Sequence, residues 1–430
     1  MFLAEKPPAI NLPGLGYTAC PTGITPAYTV DDAAVHGTKM GYAFHITTDN
    51  PVTAYDIFPY GGGTSAITSA TLLLPTPTWD INYVAVDAYR QSAIPDPDSG
   101  MLQKTGQPFV EILAKQDNTH VTIRPNIAIV GGTGVPAAAA GSNATYTLMA
   151  GQFLQLEQDD ELMGSPITSD APVGVWGGAS CMNIPIDKAA CDGAHQQIPP
   201  VKAMGSHYAA VRYRNRFPGV EESVPWRMVG GVDNTTLTYS PSAPTGAPSS
   251  LQLGQVVEFN ASSPFTVTSQ DGDHPFYMSA HMTGCQDIND GSDCRGDPEF
   301  VNVVPPDQYL ASYTFFTDPT YPETNLVLTR EQVNGAFADV TIDCMGTVGG
   351  WQPVDAAGTI QYARVDLVTG NFQSVGSCNN GLHLASSAQP FGMTVWGWGN
   401  ASTGLFSTTY VSYAYPAGAA IKPINNVVIE

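Results

Sequence analysis

A short acidic loop is the first candidate for chemistry in this sequence. Two cysteines, Cys285 and Cys294, enclose the run Asp-Ile-Asn-Asp-Gly-Ser-Asp. Hard cations such as Ca²⁺ take several carboxylate and amide oxygens around a glycine turn. The run therefore predicts a calcium site, formed by Asp287, Asn289, Asp290 and Asp293. It departs from the EF-hand pattern and lacks the distal glutamate of that motif, so a solvated disulfide loop without a cation is the alternative interpretation.

Aromatic residues are the second group of candidates, because aromatic rings stack on sugars and anchor protein interfaces. Several lie on or just after a proline-led strand pattern that recurs along the chain. The candidates are Trp176, Trp396, Trp398, Tyr55 and Tyr60. We predict that these rings contribute to ligand binding. The alternative is that they pack in the core.

The sequence carries no signature of catalysis. It has no G-x-S-x-G nucleophile elbow and no HExxH motif. The acidic tract 159–161 has no second feature that marks a general acid, which favours a solvated turn. Residues 295–297 spell the integrin-type tripeptide Arg-Gly-Asp, and a structural turn is the favoured interpretation there too. We therefore predict that the protein is not an enzyme.

The seven cysteines indicate a disulfide framework. Neighbouring cysteines fall in pairs along the chain, and none of the pairs has the spacing of a zinc site. The predicted bridges are Cys181–Cys191, Cys285–Cys294 and Cys344–Cys378, with Cys20 left over. Structural bridges of this kind form in oxidising compartments, so we predict an extracellular or cell-surface protein.

The charge balance limits the partners. The 38 acidic and 16 basic residues give a net charge of -22, whereas nucleic acids and anionic membranes attract clustered Lys and Arg. Divalent cations and basic partners fit this balance, although an acidic surface also simply keeps a secreted protein soluble. The chain has no apolar run approaching the roughly 20 residues that span a bilayer. Its first residues lack the pattern of a signal peptide.

Composition and internal repeats predict an all-β fold. The chain has 43 Gly and 35 Pro but only 13% charged residues, which is typical of turn-rich β proteins. The proline-led strand pattern occurs four times, at Pro51, Pro172, Pro275 and Pro390. A second pattern, a proline followed eight residues later by a strand-opening tyrosine, ends at Tyr83, Tyr208 and Tyr313. These recurrences predict four related antiparallel β units of about 100–120 residues each.

Each full unit also shows the same succession of strands. The Asp-Asn pairs at 117–118 and 233–234 predict hairpin turns, because both residues tolerate left-handed backbone. A third strand is predicted directly after Gly151, Gly254 and Gly370.

The order of the units predicts how they are arranged. The first unit is incomplete and the last strand opens no further unit, so a closed, propeller-like ring would leave no free sheet edge. Tandem β-sandwiches are the alternative. We divide the chain into a Pro/Gly-rich segment at 1–35, a β-repeat domain at 36–420 and a C-terminal tail or strand at 421–430.

Several phrases of the sequence carry a family resemblance. They are CDGAHQQIPPV at 191–201, GDPE at 296–299, VPPDQY at 304–309, FGMTVWG at 391–397 and YVSYAYPAG at 410–418. Over roughly residues 40–420 the chain resembles the IgGFc-binding protein N-terminal domain family. The resemblance implies a secreted or cell-surface module, best known from a mucus glycoprotein that binds the Fc part of immunoglobulin G. It implies no catalytic residues, and a shared fold does not by itself transfer a ligand.

These observations lead to two hypotheses on function. The first is a non-enzymatic extracellular adhesion or matrix-binding module that recognises a glycoprotein or glycan through loops at the ends of its repeats. Immunoglobulin Fc is a candidate partner by the resemblance alone, and calcium is the one candidate cofactor. The second is a structural subunit of a surface layer or filament, which self-assembles by strand addition through its Pro-rich start and residues 425–430.

Overall fold

The computed structural model describes residues 23–28, 36–64, 67–96, 99–288, 294–400 and 410–429. Within these ranges the chain is built from antiparallel strands, one short helix and four single 3₁₀ turns, which confirms the predicted all-β class. The strands are β1 Lys39–Tyr42, β2 Ala54–Phe58, β3 Ser69–Leu73, β4 Asp80–Val84, β5 Ser92–Pro95, β6 Leu102–Thr105, β7 Pro108–Ala114, β8 Thr119–Ile123, β9 Ala144–Leu148, β10 Gln152–Glu157, β11 Pro166–Met182, β12 Asp192–Ile198, β13 His207–Ala210, β14 Val224–Gly230, β15 Thr235–Ser240, β16 Ser250–Leu251, β17 Val256–Ala261, β18 Phe265–Ser269, β19 Phe276–Met282, β20 Glu299–Asn302, β21 Leu310–Thr317, β22 Glu323–Glu331, β23 Val340–Ile342, β24 Gly346–Thr347, β25 Gln352–Pro353, β26 Ile360–Thr369, β27 Gln373–Ser374, β28 Gly381–Trp398 and β29 Ser412–Pro416. The helix α1 is Cys285–Ile288, and the 3₁₀ turns are Gly62–Thr64, Thr76–Thr78, Val201–Ala203 and Pro306–Gln308.

A long strand organises each full unit. The first part of β11 pairs with β4 and β8, and its second part pairs with β7 and β12. The first part of β28 likewise pairs with β21 and β23, and its second part pairs with β22 and β29. In the middle unit the long strand is divided into β18, which pairs with β13 and β15, and β19, which pairs with β14 and β20. The three units therefore share one topology. The first unit consists of the β2–β3 hairpin.

The predicted hairpin turns are present. Asn118 and Asn234 both have left-handed backbone, with φ of 57° and 58°, which asparagine tolerates better than most residues. The strands predicted after Gly151 and Gly254 are β10 and β17. In the last unit the prediction is wrong, because the equivalent partner of β22 is β26, which ends before Gly370. Only the two-residue strand β27 follows that glycine.

Residues of the two repeated sequence patterns are hydrogen-bonded to each other in the structure. A 3₁₀ turn follows Pro75, Pro200 and Pro305, and the tyrosine at the end of each pattern lies in the strand beyond it. Each tyrosine hydroxyl donates to the carbonyl next to an anchor proline: Tyr83 to Val173 at 2.8 Å, Tyr208 to Phe276 at 2.6 Å, and Tyr313 to Phe391. Each also accepts a backbone N–H three residues upstream: from Asp80, Gly205 and Leu310, respectively. This bond fixes the opening strand of a unit to its long strand.

Replacing Tyr208 by phenylalanine is expected to lower the free energy of unfolding by about 1–3 kcal/mol. The ring still fits its site, but one buried carbonyl and one buried N–H lose their partner. Denaturant unfolding with Tyr42→Phe as the control measures the effect, since Tyr42 is 74% exposed. Equal stability of the two variants would contradict the assigned role.

The four units meet at four inner strands, β3, β12, β20 and β29, which we call the hub. Each inner strand contacts two others, in the cyclic order β3, β12, β20, β29 and back to β3. At the centre, Gln196 is fully buried and its Nε2 reaches three other units. It donates to the carbonyls of Ala70 at 2.8 Å, Ala414 at 3.0 Å and Phe300 at 3.1 Å. No backbone ladder joins the inner strands within the described ranges, and a closed propeller stays a prediction.

The C-terminal residues are packed against their own chain. The side-chain amide of Asn425 donates to the carbonyls of Val201 at 2.8 Å and Met204 at 3.0 Å. The Ile429 N–H donates to Oδ1 of Asn82 at 2.9 Å. The segment assigned to strand addition in the assembly hypothesis is thus bonded intramolecularly as far as residue 429.

Candidate binding face

Four equivalent connections lie at one end of the hub, each leading from a proline-led strand to an inner strand. Their described residues are 59–64 with 67–68, 183–191, 283–288 with 294–298, and 399–400 with 410–411. The second and third touch where the Gly284 N–H donates to the Ile184 carbonyl at 2.7 Å, and the third and fourth where the Gly296 N–H donates to Gly399 at 3.0 Å. We call this surface the loop face.

A buried carboxylate joins the remaining connections. The Thr68 hydroxyl donates to Asp192 Oδ2 at 2.9 Å, and the Ser412 N–H donates to the same oxygen at 3.2 Å. The Thr68 and Gly193 N–H groups donate to the other oxygen. Asp192 thereby ties the first and last units to the second, so the loop face is continuous around the hub.

All three predicted disulfides are confirmed: Cys181–Cys191, Cys285–Cys294 and Cys344–Cys378. The first two close the second and third connections of the loop face. The third lies away from the hub, where it borders a cavity of about 470 Å³ in the last unit. Cys20 lies outside the described residues.

The predicted calcium loop is described only in part. Asp287 lies on α1, where incomplete solvation of its carboxyl group raises its pKa. Asn289, Asp290 and Asp293 lie outside the described residues, so calcium at this loop stays a prediction. Elsewhere Asp343, Cys344 and His383 bring potential ligand atoms together. Cys344 is oxidised in its disulfide and offers no thiolate to a metal.

The predicted aromatic residues divide into two groups. Trp396 and Trp398 are 1% and 0% exposed and pack on the Tyr213 ring, so for these two the structure supports the core-packing alternative. The other three are half-buried: Trp176 lies edge-on to Trp79, Tyr55 lies against Tyr415, and Tyr60 stacks on Phe316. Tyr60 belongs to the first connection of the loop face. Ligand binding by these rings stays a prediction.

A charged cavity adjoins the loop face, and the sequence analysis missed it. It measures about 330 Å³, and its charged lining comprises Arg214, Arg216, Arg295, Glu323 and Asp366. Arg214 pairs with both Glu323 and Asp366. The alternating arginines in RYRNR at 212–216 were the available signal. Guanidinium groups beside carboxylates can recognise both anionic and cationic groups of a ligand.

Two acidic motifs have structural roles. In the tripeptide at 295–297, Asp297 is fully buried, so the motif is not presented to a receptor and the turn interpretation holds. In the tract 159–161, Glu161 Oε1 lies 2.6 Å from Arg227 Nη1. Asp159 accepts hydrogen bonds from Gln91 and Gln107, so these carboxylates are already engaged by the protein.

Family comparison agrees with this architecture. The profile described as IgGFc binding protein matches residues 69–397, a stretch that starts in the first inner strand and ends in the last long strand. One curated relative is the human IgGFc-binding protein, 26% identical over 265 residues. The match covers 60% of this chain but only 4% of that relative. In the described part of the chain, no helix is long and apolar enough to cross a membrane. Family and disulfides together indicate an extracellular binding protein, and the chain belongs to the IgGFc binding protein family.

Proposed function

We propose that the protein is a non-enzymatic adhesion or matrix-binding module, secreted or held at a cell surface, that recognises a glycoprotein or glycan through its loop face. The observation that carries this proposal is the meeting of four equivalent connections, one from each unit, on a single surface. Loops held by a rigid scaffold are where proteins usually place recognition. Two of these loops are closed by disulfides, which lowers the entropy lost on binding.

The chemistry of the loop face supports a glycoprotein or glycan as ligand. Tyr60 presents a half-buried ring in one connection, and aromatic rings of this kind contact sugars and protein side chains alike. The neighbouring cavity adds guanidinium groups beside carboxylates, which together suit ligands that carry both anionic and cationic groups. Immunoglobulin Fc is a candidate ligand because the human relative is named for binding it.

An array of IgG Fc, mucins and diverse glycans, probed with the oxidised chain, tests this function. A saturable, competable signal is expected. The absence of any binding signal from a chain shown to be folded would overturn the proposal. Polymers that grow with protein concentration in electron micrographs would then favour the structural-subunit hypothesis.

Removing one of the two loop-face disulfides by Cys181→Ser with Cys191→Ser is expected to weaken binding about tenfold, because an ordered loop becomes a flexible one. The matched control is Cys344→Ser with Cys378→Ser, which removes a disulfide away from the loop face. The control should lower the thermal midpoint and leave the affinity unchanged. Equal losses of affinity in both double variants would exclude the loop face as the binding site.

A further inference from the structure

Three acidic side chains lie beneath the loop face, at or beside the hub. Asp192, Asp297 and Glu299 are each 0% exposed. They lie close enough for the charge of Asp192 to act on both of the others. Burial raises the pKa of all three carboxyl groups well above the usual range, and repulsion from Asp192 raises the pKa of Asp297 and Glu299 further. Such a group of carboxyls requires a compensating charge or proton.

Asp297 differs from its neighbours because it has no hydrogen-bond partner. Asp192 accepts four hydrogen bonds. Glu299 accepts one from the Phe300 N–H at 2.8 Å, and the Ser69 hydroxyl and the Ala414 N–H also interact with it. Both carboxylate oxygens of Asp297 are buried and unpartnered. Leaving a buried carboxylate without any partner is strongly unfavourable.

Protein cations do not resolve this imbalance. Arg216 acts electrostatically on Asp297, but its guanidinium is bonded elsewhere. It donates to Glu222 at 2.9 Å, to the Arg295 carbonyl at 2.9 Å and to the Thr283 hydroxyl at 3.0 Å. Because Glu222 already balances its charge, the three carboxyls still face an excess of negative charge.

The space next to Asp297 is bounded by two oxygen atoms and the ring of Pro298. A β-carbon built on Gly284 would lie 3.5 Å from Asp297 Oδ1, 3.5 Å from the Ile184 carbonyl oxygen and 3.5 Å from Pro298 Cγ. Both oxygens therefore converge on the open side of this glycine. Oxygen donors with a carboxylate among them suit a hard cation.

We propose that the space beside Gly284 and Asp297, which we call the pocket, binds a calcium ion. Asp297 is a direct ligand and the Ile184 carbonyl is a second one. Asp192 and Glu299 provide the negative surroundings. This site is separate from the predicted loop at 287–293. It does not depend on the proposed binding function, because its ligand is an ion and its measurements involve no glycoprotein. An ion held here would join the second and third connections from below.

Calcium content and thermal stability of the whole chain test the site, using EDTA, CaCl₂ and MgCl₂. The purified protein is expected to hold about one calcium ion per chain, as for a single site, and its thermal midpoint should fall when EDTA removes the ion. Asp297→Asn should abolish both the bound calcium and the calcium-dependent midpoint. Gly284→Ala is a second variant that fills the space with a methyl group in ordinary contact with its neighbours, and it should have the same effect.

The control variant is Asp287→Asn, which alters the acidic loop and leaves both proposed calcium ligands in place. It should bind calcium like the parent chain. Loss of calcium in Asp287→Asn with retention in Asp297→Asn would place the ion in the loop and overturn the proposal. The proposal would also be overturned if the parent chain held no calcium and its thermal midpoint did not change when CaCl₂ was added. Protonation of Asp297 would then be the means of neutralising the pocket.

Discussion

Gln196→Leu is expected to lower the free energy of unfolding by about 3–5 kcal/mol, which is the largest effect expected of a substitution that changes no charge. The change keeps the size of the side chain but removes the amide that donates to Ala70, Phe300 and Ala414. Each buried carbonyl left without a donor costs about 1–3 kcal/mol. Because the three carbonyls belong to three different units, the substitution removes the links of β12 to all three of them at once.

Denaturant unfolding of Gln196→Leu beside Gln373→Leu measures this effect. Gln373 is exposed in β27, where its amide bonds only the nearby Asn371 carbonyl, and its replacement should change stability by less than about 0.5 kcal/mol. If both variants unfolded at the denaturant concentration of the parent chain, the hub would not depend on Gln196.

Arg216→Met is expected to destabilise the fold by about 3–5 kcal/mol, because it leaves the carboxylate of Glu222 buried and uncompensated. The two side chains are 0% and 1% exposed, and Nη2 lies 2.9 Å from Oε2. The Tyr213 hydroxyl also donates to Glu222, at 2.8 Å. Adding Glu222→Gln removes the unpaired charge, so the double variant should recover much of the loss.

A double-mutant cycle with Arg216→Met and Glu222→Gln isolates the pair, and Lys104→Met is the surface control. Lys104 lies 3.6 Å from Asp159, with side chains 60% and 50% exposed, and exposed pairs of this kind contribute at most about 1 kcal/mol. Additive effects of the two buried substitutions would show that Arg216 and Glu222 do not act as a pair.

Local features of the chain were predicted from the sequence alone. The disulfide pairs join cysteines that are neighbours in sequence, and the hairpin turns follow from the left-handed backbone that asparagine tolerates. The repeated Pro and Tyr patterns marked both partners of the bonds that open each unit. In each case the physical requirement falls on one residue type at a fixed spacing, so the pattern is readable without the fold.

The last unit shows where the prediction of strands from local sequence fails. Gly370 lies 20 residues before Pro390, close to the 21 residues that separate Gly151 and Gly254 from their anchor prolines. The strand that pairs with β22 nevertheless precedes this glycine. Pairing is decided by the partner strand and by the hydrophobic face that it presents. The tryptophans give the same lesson, because Trp176 is half-buried while Trp398 is inside the core, although both follow the same motif.

The sequence by itself determined the all-β class, the repeated units, the disulfides and the family of this protein. Only the tertiary structure decided that Gln196, Asp192 and Asp297 meet at or beside the hub, and that four connections form one face. The partners of Gln196 lie 104 to 218 residues away along the chain. No periodicity or spacing encodes such contacts, because they arise only when the inner strands of four different units pack together.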